Sequence, residues 1–355
     1  MNILVAIQPD DYTSRITPDK CDASSPRWAE AIKKAGHDVK WVDVHRSDIL
    51  GQLRGCQGFM WRWPHFGDMR RIASRLLPVL ERDLGLVVYP DQNTCWHYDD
   101  KIAQQYLFEA HGIPTPKTWI WYDGEAAREW ASTAEYPMVL KLSAGAGSSN
   151  VLLVDSLQEV KPWIDQLFSE GITSLTDAQL QPWRWKRRII AAGKAILRGR
   201  PAFADGVHGH RHKGYLLLQE FLPENAFDTR VTVVGNRAFG YRRFNRPGDF
   251  RASGSGNFDT NPQEIDPCFL RLAFRTARTL RTQSLAIDGL QREQEHVLSE
   301  ISYTYVSWMV HACPGHWELQ GDPQDGDLIW CDGHMWPEEA QVADFLHRLE
   351  TNCGS

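Results

Sequence analysis

The sequence predicts a mixed fold, α/β in its N-terminal part and α+β beyond it. Three observations carry that reading. Short apolar strands alternate with helical stretches as far as residue 92, and a glycine-rich hairpin tip follows at residues 143–150. Further on, two apolar strands bear Asp288 and Glu300 across a polar turn.

Residues 2–7 read as a buried strand, 38–44 as a second, 58–63 as a third and 85–90 as a fourth. Residues 26–35 have helical spacing and stop at Gly36, a residue suited to a helix terminus, and residues 69–82 form another helix. Such alternation marks a small parallel sheet, assigned to residues 1–92. A second unit, residues 93–213, opens with Asp99-Asp100 before a helix over 101–110. Strands at 117–121 and 136–142, the loop 143–150, a return strand 151–154 and a helix 156–168 follow.

Residues 170–213 have no clear period. They hold the basic, Trp-bearing run Trp183 to Arg200, then His208, His210 and His212. A solvated arm or lid is the plain reading of the basic run, and a grip on a lipid- or nucleotide-linked substrate the sharper one. For the histidines the two readings are a loop and a metal-binding face. A third unit, 214–305, has strands at 215–221, 229–234 and 237–244, a helix at 269–283, and the two carboxylate strands. Residues 306–355 read as a Trp- and Pro-rich tail ending in a helix over 337–349. Its aromatic loops, 312–317 and 332–337, are expected to wall an acceptor pocket or to cap the core.

At 355 residues the chain has room for several domains, and 42% hydrophobic with 24% charged residues is ordinary for a globular protein. A net charge of −6 speaks against a general nucleic-acid binder. No apolar run approaches the roughly 18 residues of a membrane span. The N-terminus lacks the basic start of a signal peptide, so a cytoplasmic location is expected. The seven cysteines contain no Cys-x-x-Cys pair, which predicts reduced thiols and no zinc site.

The chemistry gathers in four places. Lys141 ends a strand just before a run of small residues. There the backbone N–H groups around Ser143, Gly145, Gly147 and Ser148 can approach phosphate oxygens beside a lysine counter-charge. The run is not a P-loop, since it lacks Gly-Lys-Ser/Thr and returns as a strand. The strand ending in Gln219-Glu220-Phe221-Leu222 passes into Pro223-Glu224-Asn225. It can offer backbone groups to an adenine edge, with Glu224 or Asp228 for the ribose hydroxyls. Arg230, Arg243 and Arg251, the last in Gly248-Asp249-Phe250-Arg251, carry forked donors suited to phosphate or carboxylate. Asp288 and Glu300, face to face in a hairpin, suit Mg²⁺.

Together these residues resemble the ATP-grasp superfamily, in its branch of ribosomal-protein-modifying and peptide ligases, over residues of about 95 to 305. The resemblance implies an ATP-grasp fold behind an N-terminal parallel α/β (pre-ATP-grasp) domain. It makes Lys101 and Lys141 the phosphate-contacting lysines and Gln219, Glu220, Phe221 and Leu222 the adenine-binding segment. It makes Asp288 and Glu300 the magnesium ligands. Arg230, Arg243 and Arg251 fall where the family holds substrate carboxylate and phosphate. Two departures stand out: Glu300-Ile301-Ser302 replaces the usual Glu-x-Asn, putting the hydroxyl of Ser302 on the metal side, and Arg251-Ala252-Ser253 replaces Arg-x-Asn.

The activity implied is ADP-forming ligation with ATP and Mg²⁺, in which a carboxylate becomes an acylphosphate and an amine then displaces phosphate. The expected partners are a small-molecule or carbohydrate-linked carboxylate and an amine, in surface-polysaccharide or peptide modification. A homodimer is left open. The competing readings are a nucleotide binder without catalysis and an ATP-grasp phosphotransferase.

Overall fold

The structure, a computed structural model, describes residues 2–10, 23–64, 69–145, 150–173 and 211–353. Strands β1 (Leu4–Ile7), β2 (Asp38–Trp41), β3 (Gly58–Met60) and β4 (Val87–Tyr89) form a parallel sheet in the order β2-β1-β3-β4. Helix α1 (Ser25–Lys34) carries Pro26 in its first turn, where the missing N–H would have no intrahelical partner anyway, and buries Trp28, Ala29 and Ile32. Helix α2 (Met69–Pro78) gives way to a π-helical turn, Val79–Asp83, so the helix expected over 69–82 is not continuous. The change falls at Pro78, which has no N–H for the α-helical ladder.

The second unit contains α3 (Lys101–Ala110), β5 (Thr118–Trp121), α4 (Gly124–Thr133), β6 (Met138–Lys141), β7 (Val151–Val154), α5 (Leu157–Phe168) and β8 (Leu216–Glu220). Its antiparallel sheet runs β5-β8-β6-β7. Ala127 and Ala131 of α4 and Val160, Ile164 and Leu167 of α5 pack against Leu140, Leu216 and Leu218. Because β8 pairs with β5 and β6, the unit boundary expected at 213/214 moves beyond Glu220.

The third sheet holds β9 (Phe227–Val234), β10 (Arg237–Phe244), β12 (Ser284–Arg292), β13 (Glu295–Ser302), β14 (Gly315–Gln320) and β15 (Asp327–Asp332). Its order is β13-β12-β9-β10-β14-β15, all antiparallel, with β11 (Phe258–Asp259) added beside β10. Helix α6 (Pro267–Thr279), capped by Asp266, lays Phe269, Leu270, Ala273 and Ala277 on Val231, Val233, Leu285 and Ile287.

Residues 306–355 are not the separate tail expected. β14 and β15 extend the large sheet, and α7 (Pro337–Cys353) returns to the first, where Phe345, Leu346 and Leu349 pack against Ile3, Val5 and Ile7. Glu338, fully buried, accepts from Ser24 Oγ at 2.8 Å and Ser307 Oγ at 2.6 Å, and Trp28 Nε1 donates to Gln341 Oε1 at 2.7 Å. Of the two readings of the aromatic loops, the structure takes the cap on the core. Trp317 packs on the α6 core, while Trp336 stacks on His311 and under Arg27.

Candidate active site

The second and third sheets face each other across a cleft with two lobes. The first lobe, about 120 Å³, is lined by Val139, Lys141 and Val151 of β6 and β7, the segment 219–222, Phe250, Arg251 and Leu290. The second, about 460 Å³, is lined by Arg62, Tyr98, Arg230, Arg243, the loop 252–258, Ser302, Trp308 and Met309. Gly145, Ala252, Ser253, Asp288 and Glu300 line both lobes. The two carboxylates therefore stand where the lobes meet.

Hairpin pairing sets Asp288 of β12 directly opposite Glu300 of β13, with an irregularity in the ladder just after Asp288. Gly289 follows at that point, where any Cβ would overlap the Phe269 ring of α6. Gly289→Ala is expected to destabilise by about 1–3 kcal/mol through overpacking, read as a lower midpoint in urea unfolding.

Asp288 is buried and takes Arg230 in a two-pronged pair, Nε to Oδ1 at 2.5 Å and Nη2 to Oδ2 at 2.7 Å. Arg243 reaches the same Oδ2 at 2.8 Å while its fork holds both oxygens of Asp228. Burial alone would raise the Asp288 carboxyl, but the two guanidiniums outweigh it and hold the group well below the usual carboxylate range. Burial would lower Arg243, yet Asp288 and Asp228 hold it charged.

Glu300 is half-buried, with Lys101 Nζ at 3.2 Å from its Oε1; the same ammonium donates to Gly145 O at 3.0 Å. Burial lowers the Lys141 ammonium to about 8; Glu300 and Asp288 oppose the fall and Lys101 adds to it. Arg251 pairs with both oxygens of Asp249 at 2.8 and 2.7 Å and reaches Val151 O at 3.3 Å, tying its loop to β7. Phe250 meets the Phe221 ring edge-on at 5.5 Å. Beyond the end of β8, the N–H and C=O of Phe221 and the N–H of Leu222 have no backbone partner among the described residues, leaving them for a ligand edge.

Lys101, Lys141, Gln219, Glu220, Phe221, Leu222, Asp228, Arg251, Asp288 and Glu300 are thus brought to the first lobe, and Arg230, Arg243 and Ser302 to the second. Several expectations are corrected. Ser143 lines neither lobe; its N–H donates to Tyr215 Oη at 2.8 Å and its Oγ lies 3.3 Å from His212 Nδ1. The Gly145 N–H donates to Asp99 Oδ1 at 2.7 Å, so that donor is taken. Glu224 is exposed and lines neither lobe, and both oxygens of Asp228 hold Arg243. Glu220 Oε2 accepts the Lys117 N–H at 3.0 Å. The hydroxyl of Ser302 donates to Thr304 O at 2.7 Å, which turns it along its own chain. Cys313 is buried, and burial pushes its thiol up to about 12.

Gly147, Ser148, the run Trp183 to Arg200, His208 and His210 lie outside the described residues. His212 is buried and bonds Tyr215. Residues the sequence reading missed include Arg62, whose Nη2 donates to Tyr305 O at 3.1 Å, and Trp308. No local motif marks either, because distant chain segments bring them to the cleft. Asn225 was also missed; it joins the segment after β8 to β12 through both backbone groups of Gln291.

A family model described as a RimK-like ATP-grasp domain matches residues 203–306. The alpha-aminoadipate–LysW ligase LysX of Saccharolobus solfataricus is 31% identical over 225 residues, covering 63% of this chain and 68% of that protein. Among solved structures, D-cycloserine synthetase DcsG matches with a TM-score of 0.57 at 12% identity, covering 98% of this chain and 99% of that one. A RimK domain ATP-grasp protein from Sphaerobacter thermophilus matches at 0.53 and 17% identity, over 96% and 98%. These structural likenesses establish the fold.

Proposed function

Since the chain belongs to the ATP-grasp superfamily of ATP-dependent carboxylate–amine ligases, in its RimK-like branch, we propose that it works through an acylphosphate formed where the two lobes meet. The observation that carries this reading is the shared lining: Asp288 and Glu300 border both the narrow first lobe, with its two lysines and the open backbone of the 219–222 segment, and the larger second lobe with Arg230 and Arg243. A reaction between a γ-phosphate and a second substrate needs such a junction.

In this account the adenine edge meets the backbone of Phe221 and Leu222, between the apolar walls Val139, Val151 and Leu290. Lys101, Lys141 and Arg251 face the phosphates. The carboxylate lies in the second lobe, oriented by Arg230 and Arg243. Its oxygen forms a bond to the γ-phosphorus as the β–γ bridge breaks and ADP leaves. The amine nitrogen then attacks the acyl carbon, and phosphate departs with the oxygen. Positioning and fixed charge do the catalysis, each well-placed donor contributing about 10²–10³-fold.

The donor set at the junction fits magnesium. Both acids are hard oxygen ligands from paired strands, and Lys101 approaches Glu300 at Oε1. Asp288 must share an oxygen already bonded to a guanidinium, which the second lone pair permits. Held by Asp288 and Glu300, the ion would supply charge neutralisation for the phosphates. Lys101, Lys141 and the three arginines supply the rest.

The second lobe sets guanidiniums beside Phe258, Trp308 and Met309. That favours a small-molecule or peptide carboxylate carried on an apolar body. The carbohydrate-linked alternative loses its main support, because the loops 312–317 and 332–337 do not line the lobe.

Hydroxylamine tests the proposal without knowledge of the amine. With Mg-ATP and a panel of carboxylates it should trap one acylphosphate as a hydroxamate, with ADP released in equal amount. AMP release, or ADP without hydroxamate, contradicts it; a stable phosphorylated product would favour a phosphotransferase.

Lys141 gives a pH prediction. Its ammonium, lowered to about 8 in the free protein, is raised by neighbouring phosphates. Binding of Mg-ADP at pH 8 should therefore take up protons, and affinity should fall as pH rises through that value. Calorimetry in buffers of different ionisation heat reads the uptake, and Lys141→Met should abolish it.

A further inference from the structure

We infer that the β14–β15 hairpin carries a separate metal site for a zinc-class divalent cation, formed by His316, Glu318 and Cys331. The sequence hides it, since Cys331 has no Cys-x-x-Cys partner and stands far along the chain from His316 and Glu318. Strand pairing creates it: His316 of β14 stands directly opposite Cys331 of β15, and Glu318, two residues along, faces the same side. One donor atom from each of the three lies within 4.8 Å of the other two. At that outer limit, the donors of an equilateral triangle would stand about 2.8 Å from their common centre, against zinc bonds of about 2.0–2.3 Å. Small side-chain rotations close the difference.

The state of His316 supplies the second observation. It is 5% exposed and lies over Phe239 with ring centroids 5.3 Å apart. Its Nε2 is 3.7 Å from Glu318 Oε1, and its buried Nδ1 has no hydrogen-bond partner. At 3.7 Å the Nε2 contact to Glu318 is longer than a hydrogen bond, which leaves the ring nitrogen nearest the carboxylate able to ligate. Cys331 is a free, partly exposed thiol. Arg237 Nε, 3.2 Å from Glu318 Oε1, is the competitor that a bound cation must share with or displace.

Imidazole, thiolate and carboxylate form a borderline-soft set that selects Zn²⁺ or Co²⁺ over Mg²⁺. The site is therefore chemically distinct from the Asp288–Glu300 pair, and none of its three residues lines the cleft. A cation bound there, with water as fourth ligand, would fasten β14 to β15 at the outer edge of the large sheet.

Cobalt titration of the reduced, metal-free full chain tests this. One equivalent should produce a thiolate-to-cobalt charge-transfer band and the visible bands of a four-coordinate ion, which Zn²⁺ removes. Cys331→Ser, a conservative change at a partly exposed position, should abolish the charge-transfer band and weaken zinc binding by at least about 10–100-fold. Glu318→Gln should weaken binding while keeping the band. Mg-ADP binding by Cys331→Ser should be unchanged, which separates this site from the cleft. A folded wild type without the thiolate band, or a band that survives Cys331→Ser, overturns the proposal.

Discussion

Asp288→Asn is expected to reduce ADP formation by about 10³-fold or more and to lower the unfolding free energy by roughly 3–5 kcal/mol. Both effects arise from one carboxylate. It stands at the junction of the lobes, and it balances the charge of Arg230 while sharing that of Arg243. An asparagine of the same shape keeps the volume but leaves Arg230 buried beside a neutral partner. The acid limb of stability adds a sign. The folded carboxyl titrates below its unfolded value of 3.8, so its contribution is full above that value and is lost as pH falls through the folded one. The variant should therefore lose less stability than wild type on acidification. An ADP-release assay and urea unfolding across pH read the two effects, and wild-type turnover in the folded variant would remove Asp288 from the mechanism.

Arg243→Met is expected to cost about 3–5 kcal/mol of stability, because it leaves Asp228 buried with neither oxygen paired. Turnover should fall with it, since Arg243 is one of two guanidiniums proposed to orient the carboxylate. The effects separate in a double variant: Asp228→Asn with Arg243→Met removes the orphaned charge and should recover much of the stability but none of the turnover. Recovered turnover would make Arg243 a structural residue only.

The contrast between these residues and Arg251 shows what the sequence could carry. All three arginines read alike as forked donors near a glycine-rich loop. Only the fold divides them, Arg251 to the first lobe and Arg230 and Arg243 to the second. Their ion pairs are equally invisible to spacing, because Asp228 meets Arg243 only through antiparallel β9–β10 pairing.

Asp288 opposite Glu300 was legible, since two apolar runs around a short polar turn leave little choice of register. Helix α4 was not read: its buried face is Ala127 and Ala131, too small to give a strong apolar period. β14 and β15 passed as loops because Pro314, Gly315, Gly321 and Pro323 punctuate them, while the pairing that makes β14 a strand lies far away on β10. Ser143 was expected to cradle phosphate from composition alone. Its partner Tyr215 comes from the far side of a stretch with no period to read.

The most direct test of the two-lobed junction is calorimetric titration of ADP, with and without Mg²⁺, into wild type and Glu300→Gln. Glu300 is about a third exposed in its side chain, so the variant should fold. Magnesium should strengthen ADP binding to wild type and do little for the variant. Binding that ignores magnesium in wild type, or a magnesium effect that survives the substitution, would contradict the assignment of the phosphate end to the Asp288–Glu300 pair.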